Sequence, residues 1–386
     1  MRKLLLALTA CAGLTTAQAQ GVYQIPNSDF ETWASEKEPG NGWNSFASAG
    51  GTLKSFASMS PSPEKAEGYN SETAVRLTSK NLWIANANGN LTTGRINMGS
   101  MTPADAANYN FTDLTDSIHS LPFAGTPDSV ACYAKFISGG SENGRGQFIL
   151  HDEYGYRDPE TSNEEGYESH KVALAAIMIP DTTEWTRFVA PFEYTGVEKP
   201  EKQYMLASFT TNPVPGGSAN DTLYIDNVEL IYNSELASLK YDGQDLFVEG
   251  QTLYDLPGVT YDESKLECTS NGRAATIEKD YDEDSGVLTI TVKGDDWSEE
   301  NLNQHVYTMR FKGVYQLPNS DFENWASDKE PGNGWNSFAS AGGTFATFAS
   351  MSPSPEKVEG YDSKTAVKLT SKNLWIANAN GNLTTG

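Results

Sequence analysis

The chain is short of several things, and each shortage narrows the reading. It has three cysteines in 386 residues. One of them, Cys11, stands among the first nineteen residues, which leaves Cys132 and Cys268, with no C-x-x-C pair and no His/Cys cluster at metal spacing. A disulfide framework or a zinc site therefore has nothing to be built from. Basic residues are also scarce, 27 Lys and Arg against 51 Asp and Glu, for a net charge of −24. Nucleic acid and anionic lipid both need cations to neutralise them, so they are excluded as partners, while neutral ligands remain open. No apolar run reaches the length that spans a bilayer. Nor is there a G-x-S-x-G, an H-E-x-x-H or a phosphate-binding loop.

The first twenty residues, MRKLLLALTACAGLTTAQAQ, read as an export signal. Arg2 and Lys3 form a positive start, residues 4–14 a short apolar run, and Ala17-Gln18-Ala19 a cleavage site. Within it, Leu8-Thr9-Ala10-Cys11 matches a lipobox, which offers a second processing route that leaves Cys11 lipidated. Residues 1–19 are accordingly set apart as a signal peptide. The mature chain is expected at the cell surface, outer membrane or periplasm.

Glycine (34) and proline (18) are plentiful. Turn residues separate short alternating segments such as SETAVRLTS, DSVACYAKF, GQFILHDEY, KVALAAIMI and QYMLASFTT, a pattern of many strands and few helices. TPADAANYNFTDLTDSI is the one stretch assigned a short helix. Cys132, in phase with Val130, Ala134 and Phe136, reads as a small core residue.

The strongest internal signal is a repeat. Residues 21–94 and 313–386 align without gaps at an offset of 292 and differ at ten positions, most of them mildly. Such long-period similarity marks tandem modules. The expected fold is all-β: a jelly-roll β-sandwich over 20–232, a small Ig-like β-sandwich over 233–312, and a truncated second copy of the jelly roll over 313–386. The second copy is expected to present strands with unpaired edges.

In DTLYIDNVELIY, Leu223 and Ile225 share one parity while Val228 and Leu230 share the other, so a β-bulge is expected near Asp226-Asn227. If the first and last strands pair, Asp226 can point along the rim and meet Asp29 and Glu31 of NSDFETW. Three carboxylates would then form a Ca²⁺ site; the alternative is that all three are exposed turn and edge carboxylates. A sugar-binding face is sought in aromatic rings and amides: Tyr154 and Tyr156, of one parity beside Arg157, and Trp83 before the amide-rich ANANGN. Trp83 has a second reading as a core residue. For catalysis, HDEYGYRDPE is densest, with His151, Asp152, Glu153, Arg157 and Asp158. Adjacent Asp152 and Glu153 would face opposite sides of a strand and cannot form a hydrolytic pair by themselves.

YQIPNSDFETW with PGNGW, ETAVRLTS, GNLTTG and SFTTNPVPGGSANDTLYIDNVELIY together resemble the carbohydrate metabolism domain family of Gram-negative envelope proteins. LASLKYDG at 236–243 is similar to the start of that family's Ig-like companion. The resemblance implies a glycan-related role without assigned catalysis. The function expected is noncatalytic binding of a neutral glycan or polysaccharide at the cell envelope, with outer-membrane glycan-uptake proteins as partners. A glycoside hydrolase-like enzyme and a structural stalk or adhesin module are the alternatives.

Overall fold

A computed structural model describes residues 22–83, 85–311, 319–332, 335–338, 351–360, 364–374 and 378–384. Residues 1–21, which include the expected signal peptide and Cys11, and residues 313–318 and 339–350 of the second copy lie outside them. The chain divides into two compact units. The first holds the residues up to Phe247 together with Leu266–Glu278 and Thr291–Val306; the second holds Val248–Lys265, Lys279–Ile290 and the residues from Tyr307 on.

Eight strands build the sandwich of the first unit: β1 Thr73–Thr78, β2 Asn90–Thr92, β3 Ser129–Ile137, β4 Asn143–His151, β5 Lys171–Pro180, β6 Thr182–Pro191, β7 Tyr204–Thr210 and β8 Thr222–Ile231. One sheet runs in the order β1-β8-β3-β6, extended beyond β1 by the edge strand Glu64–Glu67. The other runs β5-β4-β7-β2, extended beyond β5 by Glu193–Tyr194. Strands distant in sequence are neighbours, first beside last and second beside seventh, all antiparallel. That double Greek-key order is a jelly roll.

Period-2 patterning decides which face goes in. Val75 and Leu77 of β1, Val130, Cys132, Ala134 and Phe136 of β3, and Ala173, Ala175, Ile177 and Ile179 of β5 all face one core between the sheets. Burial raises the Cys132 thiol to about 12, so it packs as a small apolar group and stays protonated. β4 and β7 are buried on both faces: Ile149 and Leu206, of the opposite parity, pack against Tyr156 in a second cluster. This accounts for their near-continuous apolar runs.

The parity switch in β8 is a bulge. Asp226 faces Tyr133 and Glu229 faces Ala131, with the register shift between them, and Asn227 takes a left-handed φ of 47°. The N-terminal segment is tied to the last strand by a reciprocal amide pair: Gln24 Nε2 donates to the Leu230 carbonyl (2.6 Å) and Gln24 Oε1 accepts the Leu230 N–H (2.9 Å).

The segment expected as a short helix instead holds the strand Asn108–Phe111 between turns. Asn108 explains the difference. Its Oδ1 accepts the N–H groups of Gly99 and Ser100 while its amide donates to the carbonyls of Ser100 and Thr102, and these bonds secure a loop rather than a helical turn.

Also in the first unit, Gln244–Asp245, Leu236–Tyr241 and Leu266–Ser270 form a three-stranded sheet. In the second unit, Leu253–Asp255 pairs in parallel with residues 308–310, and Tyr261, Tyr281 and Phe311 pack ring on ring. The described part of the second copy forms short two-stranded ribbons, Trp325–Ser327 with Glu330–Pro331, Glu356–Val358 with Ala366–Lys368, and Lys372–Asn373 with Asn378–Ala379.

Candidate binding groove

One concavity of the first unit has a volume of about 700 Å³. Four kinds of element shape it. The 3₁₀ turns Phe46–Ser48 and Lys54–Met59 contribute Phe46, Phe56 and Met59. The hairpin Lys80–Asn81 with Asn86–Ala87 carries Trp83 at its tip. The small sheet of Arg95–Met98 and Asn108–Phe111 contributes Ile96, Met98, Tyr109 and Asn110. Arg145 of β4, Asp158, and the loop after β7 with Asn212 and Pro213 complete the lining.

Local hydrogen bonds hold these pieces. Asn81 Nδ2 donates to Asn86 Oδ1 (2.9 Å) across the hairpin, and Asn86 Nδ2 donates to the Gly217 carbonyl (2.7 Å). Asn88 Nδ2 donates to the Asn212 and Val214 carbonyls, 3.2 and 3.0 Å away. Asn90 and Asn110 exchange amide bonds at 2.8 and 3.3 Å. The amide-rich stretch thus serves first as mortar that ties the hairpin, β2, the small sheet and the loop after β7 together.

Asp158 is buried, and three donors hold it: Arg145 Nη2 at 2.7 Å, Ser208 Oγ at 2.6 Å and Gln147 Nε2 at 3.2 Å. Among the described lining residues it is the single carboxylate, against two cations, Lys80 and Arg145. Among the described residues, two fully enclosed polar atoms of lining side chains have no hydrogen-bond partner, Arg145 Nε and Asn88 Oδ1, one donor and one acceptor.

Of the sequence-derived candidates, Trp83 and Asp158 lie here. Trp83 is 98% exposed, with a left-handed φ of 76° that lifts the ring clear of the hairpin; the core reading of Trp83 is therefore corrected. Tyr154, Tyr156 and Arg157 sit elsewhere. Tyr156 is fully buried, its hydroxyl donating to Glu160 (2.7 Å), so it offers no face to a ligand, which corrects the expectation of an exposed ring. Tyr154 stacks on His170 with ring centres 4.5 Å apart. The Arg157 guanidinium lies 4.8 Å from the ring of Tyr109, a lining residue, and donates to the Ser162 carbonyl (2.8 Å).

The carboxylates expected to converge are committed to backbone and hydroxyl donors. Glu31 accepts the N–H groups of Glu72 and Thr73, both at 2.9 Å. Asp29 accepts the N–H of Glu31. Asp226 is buried rather than on the rim; it accepts from Ser71 Oγ and the Tyr69 N–H, both at 2.6 Å, and from the Asn227 N–H at 2.8 Å. These bonds secure the turn before β1 and the bulge in β8. Among the described residues no group of three or more His, Cys, Asp or Glu is placed to hold a metal ion.

The dense stretch after β4 is likewise dispersed. His151 is buried and bonds Thr112 Oγ1 (2.7 Å), Asp152 pairs with His170 (2.8 Å), and Glu153 with Lys202 (2.8 Å). The lining residues Phe56, Met98, Met101, Arg145 and Asp158 come from five separate segments and share no motif. The one signal in the sequence is the crowding of Asn, Met and Phe between residues 46 and 110.

No family model matches the chain, and no curated protein does. Several solved structures are similar to part of it. One is a protein of Bacteroides thetaiotaomicron provisionally described as a glycoside hydrolase, 22% identical over 45% of this chain and 57% of that one, with a TM-score of 0.35. A second protein of the same organism, provisionally described as sugar-binding, is 11% identical over 45% of this chain and 81% of that one, TM-score 0.22. The chain thus spans just over half the length of the first of these.

Proposed function

We propose that the first unit binds carbohydrate without cleaving it, in polysaccharide capture at the cell envelope. The observation that carries this is the groove itself. Its lining joins apolar and aromatic surface to a floor of amides and an arginine, and its lone carboxylate is already saturated. Sugar rings offer apolar C–H faces to rings such as Trp83 and hydroxyls to amides and guanidinium groups. The export signal at 1–19 and the resemblance to the carbohydrate metabolism domain family agree with that role.

Hydrolysis by the usual route needs two carboxylates flanking the bond, one as acid and the other as base or nucleophile. Asp158 alone, tied to Arg145, Gln147 and Ser208, does not supply them. The experiment is affinity electrophoresis and glycan-array binding with the whole chain. Trp83→Ala is expected to lower affinity at least tenfold, the range a central aromatic anchor commands, with the circular dichroism spectrum unchanged. Absence of binding to every glycan tried would sink the proposal. Glycan cleavage that disappears in Asp158→Asn would replace it with the hydrolase.

A further inference from the structure

The chemistry of the lining points to a narrower class of ligand. We infer that the glycan held in this groove carries an apolar substituent, an acyl ester or an alkyl or aryl group, rather than being a bare polyol; this deepens the carbohydrate reading and rests on it.

A plain polysaccharide shows hydroxyls on nearly every edge and small apolar patches only on its ring faces. A site for it is met with one or two flat aromatic rings and polar groups around them. The present lining goes further. Phe56, Met59 and Met101 are 38%, 52% and 46% exposed while lining a single groove. Leu53, Ile96 and Met98 continue the same surface. Large apolar side chains gathered in one exposed patch mark a surface that something apolar covers. Their type is informative too. Three of the six are methionines, flexible and polarisable side chains that mould to irregular apolar groups rather than to one rigid face.

The polar part of the lining suits the linkage. Lys80 is an exposed cation of the lining, and Asn97 and Ser100 stand beside Met98 and Met101. An ester or ether oxygen accepts from such donors, and the neighbouring sugar hydroxyls meet the same polar side chains. Asp158 does not repel such an oxygen, since its charge is met by Arg145 at 2.7 Å.

The test is calorimetric titration of the whole chain, below micelle-forming concentrations, with methyl and octyl glycosides of glucose, galactose, mannose and xylose, and with 1-octanol. Each methylene taken from water strengthens binding by about fourfold, the equivalent of about 0.8 kcal/mol. At least one octyl glycoside is expected to bind some hundredfold more tightly than its methyl partner, and at least tenfold more tightly than 1-octanol. The paired substitution Phe56→Ser and Met101→Ser, at two exposed positions, is expected to cut the octyl-to-methyl affinity ratio about tenfold. Equal binding of octyl and methyl glycosides overturns the substituent while leaving the carbohydrate site standing. Octanol binding as tightly as every octyl glycoside overturns both. An affinity ratio unmoved by the paired substitution, or no binding by any probe, overturns the inference as well.

Discussion

Phe30 and Phe322, equivalent residues of the two copies, hold the same left-handed backbone angle, φ 54°. Each accepts an indole N–H at 2.8 Å, from Trp33 in one copy and Trp325 in the other. Each also accepts a threonine hydroxyl, from Thr73 at 2.6 Å and Thr365 at 2.5 Å. Glu31 caps the Thr73 N–H and Glu323 the Thr365 N–H, both at 2.9 Å. Lys65 stands over Trp33 as Lys357 stands over Trp325. Even the ribbon register repeats: Lys65 faces Val75, and Lys357 faces Val367.

What does not repeat is burial. Leu77 is 1% exposed and its counterpart Leu369 is 46% exposed. Phe30, Trp43, Val75 and Leu91 are fully buried, whereas Phe322, Trp335, Val367 and Leu383 are only half-buried. In the first copy β1 pairs with β8 and β2 with β7, and Trp43 packs 6.0 Å from Phe209. Among the described residues, the strand Ala366–Lys368 has a partner on one side only. These shared bonds all lie within the repeated 74 residues, the tryptophan bond between residues 3 apart and the threonine bonds between residues 42 and 43 apart. A hydrophobic core needs partners far along the chain, about 115 to 165 residues away for the first copy, and among the described residues only the first copy's segment packs against such partners.

The comparison can be broken most directly at the leucines. Leu77→Ala is expected to cost about 2–5 kcal/mol, as a buried leucine does, and Leu369→Ala under about 0.5 kcal/mol, both read from denaturant unfolding. Equal costs would mean that the second copy has a core of its own.

Acid separates the two regions next. Burial lowers the His151 pKa to about 4, below the 6.5 of an exposed imidazole. A depressed histidine stabilises the fold fully above pH 6.5 and loses that contribution as the pH falls toward 4, because the unfolded chain then takes up the proton first. The loss amounts to about 3 kcal/mol. The second copy contains no histidine. Thermal melts between pH 7 and 4 should therefore show the first unit weakening, with a flatter pH dependence in His151→Gln.

Smaller effects should be shared. Thr73→Val and Thr365→Val each remove a hydroxyl bond to a phenylalanine carbonyl. Each is expected to cost about 1 kcal/mol, measured by hydrogen-exchange protection of the adjoining amides. A cost confined to the first copy would show that the local network depends on the core after all. Smallest is Arg76→Lys, which writes the second copy's residue into the first. Arg76 pairs with Glu64 as Lys368 does with Glu356, and an exposed pair predicts a change below about 0.5 kcal/mol in unfolding free energy.

Much of the architecture was legible before any coordinates. Alternation in DSVACYAKF placed Cys132 in the core, and the parity switch at Asp226-Asn227 placed the bulge, because both follow from the two-residue period of a strand. The groove was not. Arg145 sits on β4, Asp158 on a short strand beyond it, and Met98 and Met101 around another strand and its loop; no local pattern links them. Tyr156 misled for a related reason. Parity says that two residues share a face, but not whether the segment Tyr154–His170 lies over that face.

By itself, then, the sequence determined the strand content, the inward parity and the repeat, since each can be read within a single stretch of chain, and both copies keep the hydrogen bonds that lie inside the repeated segment. Tertiary structure alone decided which copy acquires a buried core, which carboxylates are consumed in securing turns, and which scattered side chains line one groove. Those outcomes depend on contacts between strands far apart in sequence, and no short stretch of chain records them.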